Sequence, residues 1–194
     1  MSKKENSNSI RWIDTEMISD LTESAQAMTR RRLNLNFHAT LDENPHRFLN
    51  CLLKGTYIRP HRHLYPPKPE SFVLLQGCLL FVIFDDDGTI LDGGLLASAE
   101  LLADKAKFDH NNPAINGRTL IKPLQRPPAV GVDIDPGLWH TLIPVSNVAI
   151  IFEVKPGPYS VADDKEFASW APKEQPADEA SRFLAELENR CLAD

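Results

Sequence analysis

A chain of 194 residues, 42% hydrophobic and 25% charged, suits one substantial core in an ordinary globular protein, and a formal net charge of −6 argues against a long nucleic acid as partner. No apolar run approaches the ~18 residues of a membrane helix, and the opening MSKKENSNSI has no apolar segment behind it, so neither a span nor a secretory signal is expected. Cys51, Cys78 and Cys191 lie far apart and read as reduced thiols of a cytoplasmic protein, the first two as small hydrophobes within apolar runs.

In chain order, residues 1 to 9 are polar and expected to fray. DTEMISDLTESAQAMTRRR, 14 to 32, carries acids early and arginines late, which complements a helix macrodipole. Its Ile18, Leu21, Ala25 and Met28 fall on one stripe, predicting a helix packed on the outside of a larger core. From 48 to 84 the chain changes character. FLNCLLKGTYI, ESFVLLQG and LLFVIFDDDGT are short β-type runs, with DDDG at 85 to 88 as a turn between adjacent antiparallel strands. A later group, AVGVDI, WHTLIPV and AIIFEVKPG, brings the count to six or more strands and points to a sandwich or small barrel. Between the groups, ASAELLADKAKFD reads as a helical insertion and NNPAINGRTLIKPLQRPP as loop with an embedded short strand. GPYSVADDKEFASWAPKEQP is turn-rich, and DEASRFLAELENR, 178 to 190, is a closing helix with Phe183, Leu184 and Leu187 on its apolar side. No repeat or low-complexity tract is present.

The chemistry concentrates in GTYIRPHRHLYPPKPESF. If YIRPHRH is extended, Tyr57, Arg59, His61 and His63 share a face and Ile58 and Arg62 take the other. Two imidazoles two apart on a strand reach one ion. Glu70 follows a proline-rich loop and opens an apolar strand, and His140 enters another strand just after Pro136-Gly137. Three histidines and a carboxylate suit one divalent transition metal (zinc, iron, nickel or manganese), and ligand type does not separate these.

These motifs resemble those of cupins, and more closely of the WbuC-type cupin fold metalloproteins associated with bacterial surface-polysaccharide gene clusters. The first cupin motif resembles Gly55, His61-x-His63, Glu70 and Gly77; the second resembles Gly131 through Pro136-Gly137 to His140. The closer resemblance rests on NLNFH, HRFLN, GTYIRPHRHLYPPKPESF, GVDIDPGLWHT and FEVKPGPY, and covers roughly 34 to 172. The chain departs from the general pattern in the six residues between His63 and Glu70, where three or four are usual. It also has Pro144 in the region of the usual asparagine, and a long stretch from 78 to 130 between the motifs. The resemblance implies an all-β fold, a cupin-type antiparallel β-barrel (double-stranded β-helix, jelly roll), over 34–172. A tail and helix over 1–33 and a helix over 173–194 would flank it. It also implies metal ligation by His61, His63, Glu70 and His140, and a homodimer meeting through the N-terminal helix and the strand near 48 to 53.

Around such a metal, Tyr57 and Arg59 share the ligands' parity and are the expected catalytic or substrate-facing groups, Arg59 able to grip a carboxylate or phosphate. His46, Arg47 and Tyr65 are expected to contact substrate, and the loop holding Tyr65 and Lys68 to shape the entrance. Trp139 should pack away from the ligands, and His110 should face solvent. In FEVKPG, Glu153 and Lys155 share one parity and Phe152 and Val154 the other. An inward polar pair would make Lys155 or Glu153 a proton-transfer group, although the outward placement is the one expected. His38 and Asn36 find no physical place from sequence. The favoured function is a metal-dependent enzyme on a small polar metabolite, such as a sugar derivative, with isomerase or epimerase and oxygenase chemistry both open. The alternatives are a non-catalytic sugar- or metabolite-binding cupin with a structural metal, and a purely structural barrel. Nothing supports a nucleic-acid regulator or a thiol catalyst.

Overall fold

The computed structural model of the chain describes residues 10–104, 114–115, 117–160 and 165–193, so His110 and part of the expected helical insertion lie outside the described residues. Helix α1 (Thr15–Gln26) starts where Asp14 accepts the Met17 N–H at 2.9 Å, and it buries Leu21 and Ala25. It ends before the arginines expected in its last turn. Ala27 caps it, Arg31 has φ +55, and Arg30 and Arg32 extend instead to Glu174. The arginine cluster therefore serves tertiary contacts rather than the helix dipole.

The strands are β1 (Arg32–Asn36), β2 (His46–Leu53), β3 (His61–Arg62), β4 (Glu70–Gln76), β5 (Cys78–Phe84), β6 (Ile90–Ala97), β7 (Ala114–Ile115), β8 (Arg118–Leu120), β9 (Gly131–Ile134), β10 (Trp139–Pro144), β11 (Val148–Lys155), β12 (Glu166–Phe167) and β13 (Leu192–Ala193). One five-stranded sheet runs β1-β2-β11-β4-β9 and a second β12-β3-β10-β5-β6, with antiparallel pairing throughout both. This is a cupin-type double-stranded β-helix with peripheral N- and C-terminal helices. The DDDG turn joins β5 to β6: Asp85 Oδ1 accepts from the N–H groups of Asp87 and Thr89, and Gly88 supplies the positive φ of +85.

Period-two alternation sorts the core. Between the sheets lie Leu52, Phe72, Leu74, Leu79, Phe81, Leu142 and Ile151. A short helix α2 (Ala99–Ala103) follows β6, and on the outer face of the second sheet Leu80, Val82, Phe84 and Ile143 pack under helix α3 (Ala177–Arg190) through its Leu184 and Leu187. The outer face of the first sheet meets α1 through Leu49, Cys51, Leu53 and Ile150. Strand β2 sits inside its sheet between β1 and β11, with α1 over its outer face. The strand near 48 to 53 therefore has no open edge for pairing within this chain. No helix among the described residues is long and apolar enough to cross a membrane.

Candidate metal centre

His61 on β3 stands directly opposite His140 on β10 in the antiparallel register, with ring centroids 4.5 Å apart. The turn before β10 places the latter: Gly137 has φ +87, and its N–H donates to the His63 carbonyl at 3.0 Å. Any side chain there would be strained, so the Pro-Gly pair aims the His140 strand as well as ending the preceding one. Glu70 opens β4 in the other sheet, opposite Ile134 of β9. The four side chains thus converge from both sheets, all buried, with their donor atoms within 4.8 Å of one another. This set could hold a single divalent metal.

Hydrogen bonds fix which imidazole atoms face inward. The Nδ1–H of His61 donates to the Arg59 carbonyl at 3.0 Å and that of His140 to the Leu138 carbonyl at 2.9 Å, each two residues back, which turns both Nε2 atoms toward the cluster. Glu70 Oε1 lies 3.0 Å from His63 Nε2, and Glu70 Oε2 lies 3.1 Å from His140 Nε2. Burial alone would push the Glu70 carboxyl up. The hydrogen bonds from His140 and His63 and the charges of His140 and Lys155 outweigh it and hold Glu70 well below the usual range. Burial, followed by the charge of Lys165, keeps His61 neutral by driving its pKa well below the ordinary value. A neutral imidazole and an ionised carboxylate are the protonation states a metal needs, so the donor set fits one.

A cavity of about 690 Å³ adjoins the cluster, with His61, Glu70 and His140 in its wall. The wall extends to residues 28–36 on one side and to Lys165, Phe167 and Glu174 on the other, where Arg30 and Arg32 meet Glu174 at 2.8 and 2.5 Å. The expectation that Glu153 and Lys155 face outward is overturned. Both are buried and line the cavity, while Phe152 packs against the α1 cluster. Because the α1 cluster covers the outer face of this sheet, Phe152 has cover there and the polar pair turns inward. Asn50 Nδ2 donates to Glu153 Oε2 at 2.5 Å, and Lys155 Nζ lies 3.5 Å from Glu70 Oε1. Burial, then the negative charge of Glu70, pushes the Glu153 carboxyl up to about 8.

The other expected site residues divide. Arg59 and His46 line the cavity. His46 stacks on His38 at 4.1 Å, bonds to the Leu41 carbonyl at 3.0 Å, and has its pKa lowered by burial. Tyr57 is not brought to the centre. Its ring packs edge-on to Phe183 under α3, its hydroxyl donates to the Pro172 carbonyl at 2.9 Å, and burial raises its phenol. Residues 56 to 60 are not strand, so the period-two parity breaks before Pro60, and Ile58, expected on the opposite face, lines the cavity. Arg47 faces outward in an ion pair with Glu43 at 3.3 Å, and Tyr65 is 79% exposed; neither lines the cavity. The Tyr65–Lys68 loop is also not the entrance, since Lys68 is buried and donates to the Pro158 carbonyl at 2.6 Å. Trp139 packs away from the ligands as expected, its Nε1–H on Asp86 at 2.8 Å and the Arg62 guanidinium 4.2 Å above its ring. Sequence reasoning missed Asn34, Asn36 and His38 as cavity residues. The alternation in RLNLN, with Leu33 and Leu35 toward α1, was the available signal.

Residues 13–96 match a family model described as a domain of unknown function (DUF6016). A search of curated proteins finds no match. Among solved structures, protein SO0799 from Shewanella oneidensis is similar over 91% of this chain and 98% of its own, at 10% identity and a TM-score of 0.51. A conserved protein with a double-stranded β-helix domain from Klebsiella pneumoniae is similar over 83% of this chain and 99% of its own, at 12% identity and a TM-score of 0.46. The capsular polysaccharide assembling protein CapF of Staphylococcus aureus is similar over 69% of this chain, at 15% identity and a TM-score of 0.44, and this chain spans only 28% of its length. At these identities the likeness to SO0799 is one of fold.

Proposed function

We propose that the chain is a metal-dependent enzyme acting on a small polar metabolite, with one divalent transition metal held by His61, His63, His140 and Glu70. The observation that carries this reading is the convergence of four buried donor atoms within 4.8 Å beside an accessible polar cavity. A purely structural metal would be sealed on all sides, whereas three of the four donors border the cavity. A metal there supplies Lewis acidity, polarising a carbonyl or activating water.

The residues around it supply the rest. Asn50 orients Glu153, whose buried carboxyl retains a proton to give at Oε1 or Oε2. Lys155, beside Glu70, sets a positive charge toward the same space. A carboxyl raised to about 8 gives its proton in one state and takes one back in the other, which supports isomerisation or epimerisation over oxygenation, because moving a proton between adjacent carbons needs both actions at one place. The resemblance of NLNFH, HRFLN and GTYIRPHRH to WbuC-type proteins supports a sugar derivative of surface-polysaccharide metabolism as the metabolite.

Metal content of untagged protein, purified without added metal, tests the reading. About one ion per chain is expected, with loss on His61→Ala and on His140→Ala. Absence of stoichiometric metal, even after reconstitution, would refute it.

A further inference from the structure

We infer that the cavity receives a hydroxylated organic carboxylate of the sugar-acid class, its carboxylate gripped by Arg59 and its hydroxyls met by the amides of Asn34, Asn36 and Asn50. This deepens the metal-dependent reading and rests on it for the chemistry of the bound molecule, but not for the binding itself.

Most charges in the cavity wall answer one another. Arg30 and Arg32 are taken up by Glu174, and Lys155 faces Glu70. Arg59 differs: among the described residues no carboxylate lies within ion-pair distance of it, and its Nε is buried without an acceptor. Its Nη2 donates to the Ala168 carbonyl at 2.6 Å, and Phe167 lies 5.4 Å beneath the guanidinium. The group is thus held in place while its Nε–H remains unused among those residues. The Arg59 carbonyl also receives the His61 Nδ1–H, so backbone geometry ties this guanidinium to a proposed ligand. A carboxylate matches the planar fork bidentately. A phosphate would compete for the same guanidinium, with Lys155 and Lys165 also bordering the cavity, so the phosphate arm of the test below separates the two.

Lys165 also borders the cavity, and the wall mixes apolar side chains with a neutral polar group of three amides. Asn34 and Asn50 are partners in the β1–β2 register, and Asn36 follows on the same face. Amides both donate and accept, as hydroxyls require. At about 690 Å³ the cavity falls within the range of small-molecule sites.

The test is calorimetric titration of galacturonate and glucuronate, with galactose as the neutral control and galactose 1-phosphate as the phosphate arm. Wild type, Arg59→Gln, Arg59→Lys and the exposed control Arg47→Gln are compared, with metal content measured on each and parallel runs on chelator-stripped protein. Either uronate should bind wild type at least tenfold more tightly than galactose. Arg59→Gln should lose at least tenfold in uronate affinity with metal content unchanged, Arg59→Lys should lose less, and Arg47→Gln should match wild type. Failure of both uronates to bind, equal affinity for galactose, preference for the phosphate, or no loss in either Arg59 variant would overturn the inference even with full metal content. Wild type without metal would instead sink the metal reading, and the same comparison on stripped protein would still decide the role of Arg59. If Arg59→Gln does not fold, Arg59→Lys, which keeps the charge and loses the fork, carries the test.

Discussion

Glu70→Gln keeps the shape of a buried side chain and removes its charge, so it separates metal ligation from the ion pair with Lys155. In the metal-loaded protein it replaces an anionic donor by a weaker neutral one. The expected weakening is at least about 100-fold, or roughly 2.7 kcal/mol, the upper end of what even supporting residues around metal sites contribute. In chelator the cost is different. Lys155 is only 6% exposed, and it loses the carboxylate 3.5 Å from its Nζ. Breaking one side of a buried pair costs about 3–5 kcal/mol. Because Lys155 keeps other contacts, including the Phe48 ring 5.8 Å from its Nζ, the lower end of about 3 kcal/mol applies. For a domain of this size that corresponds to a fall in Tm of about 6–12 °C. Adding Lys155→Met should recover about 1–2 kcal/mol relative to the sum of the single changes. Competition with a chromophoric chelator reads the first effect, and thermal melts in chelator read the second. Metal affinity within threefold of wild type would refute Glu70 as a ligand, and strict additivity with Lys155→Met would refute the ion pair.

Tyr57→Phe should leave metal content and ligand affinity unchanged and cost about 1 kcal/mol by denaturant titration, the worth of its bond to the Pro172 carbonyl. Glu153 gives a pH signature. With its carboxyl raised to about 8, the folded chain keeps a proton that the unfolded chain has released, so this group makes stability fall as pH rises toward 8. Between pH 7 and 8, above the histidine range, chelator-treated wild type should lose up to about 1 kcal/mol that Glu153→Gln does not lose. The three thiols are buried, and burial raises each of them, Cys191 to about 12. Ellman's reagent at pH 8 should therefore label none in native protein and all three after denaturation. Rapid native labelling would contradict the packing of α3.

The barrel and the donor set were legible because both rest on local rules. Runs such as ESFVLLQ and WHTLIPV alternate or saturate with apolar residues, His61 opens a strand directly after Pro60, and His140 enters one just after Pro136-Gly137. The six-residue spacer ahead of Glu70 did no harm, since an antiparallel strand brings its first residue back whatever loop precedes it. The failures arose where a neighbour, rather than the strand itself, decided the orientation. Tyr57 turned to the outer core because the chain between Thr56 and Pro60 leaves the sheet. Glu153 and Lys155 turned inward because α1 covers the opposite face, a tertiary fact that FEVKPG does not contain. Arg30 and Arg32, read as helix-end charges, found a carboxylate more than 140 positions downstream.

The donors at the centre come from opposite sheets, and His63 and His140 stand 77 positions apart in the chain. An ion shared by them would act as a cross-link closing a long loop, and in chain-entropy terms such a closure is worth about 4.5 kcal/mol, comparable to a disulfide. With an ion bound, a chain whose three cysteines are all buried and unbridged would have an alternative fastening, Glu70 of one sheet being tied to the histidines of the other. Because β3 is only two residues long, the His61–His63 segment depends on that fastening more than the long strands do. Loading the site would then double as a checkpoint on maturation: a chain in which the second histidine arm has not docked holds no ion tightly, and one that holds an ion has its sheets in register.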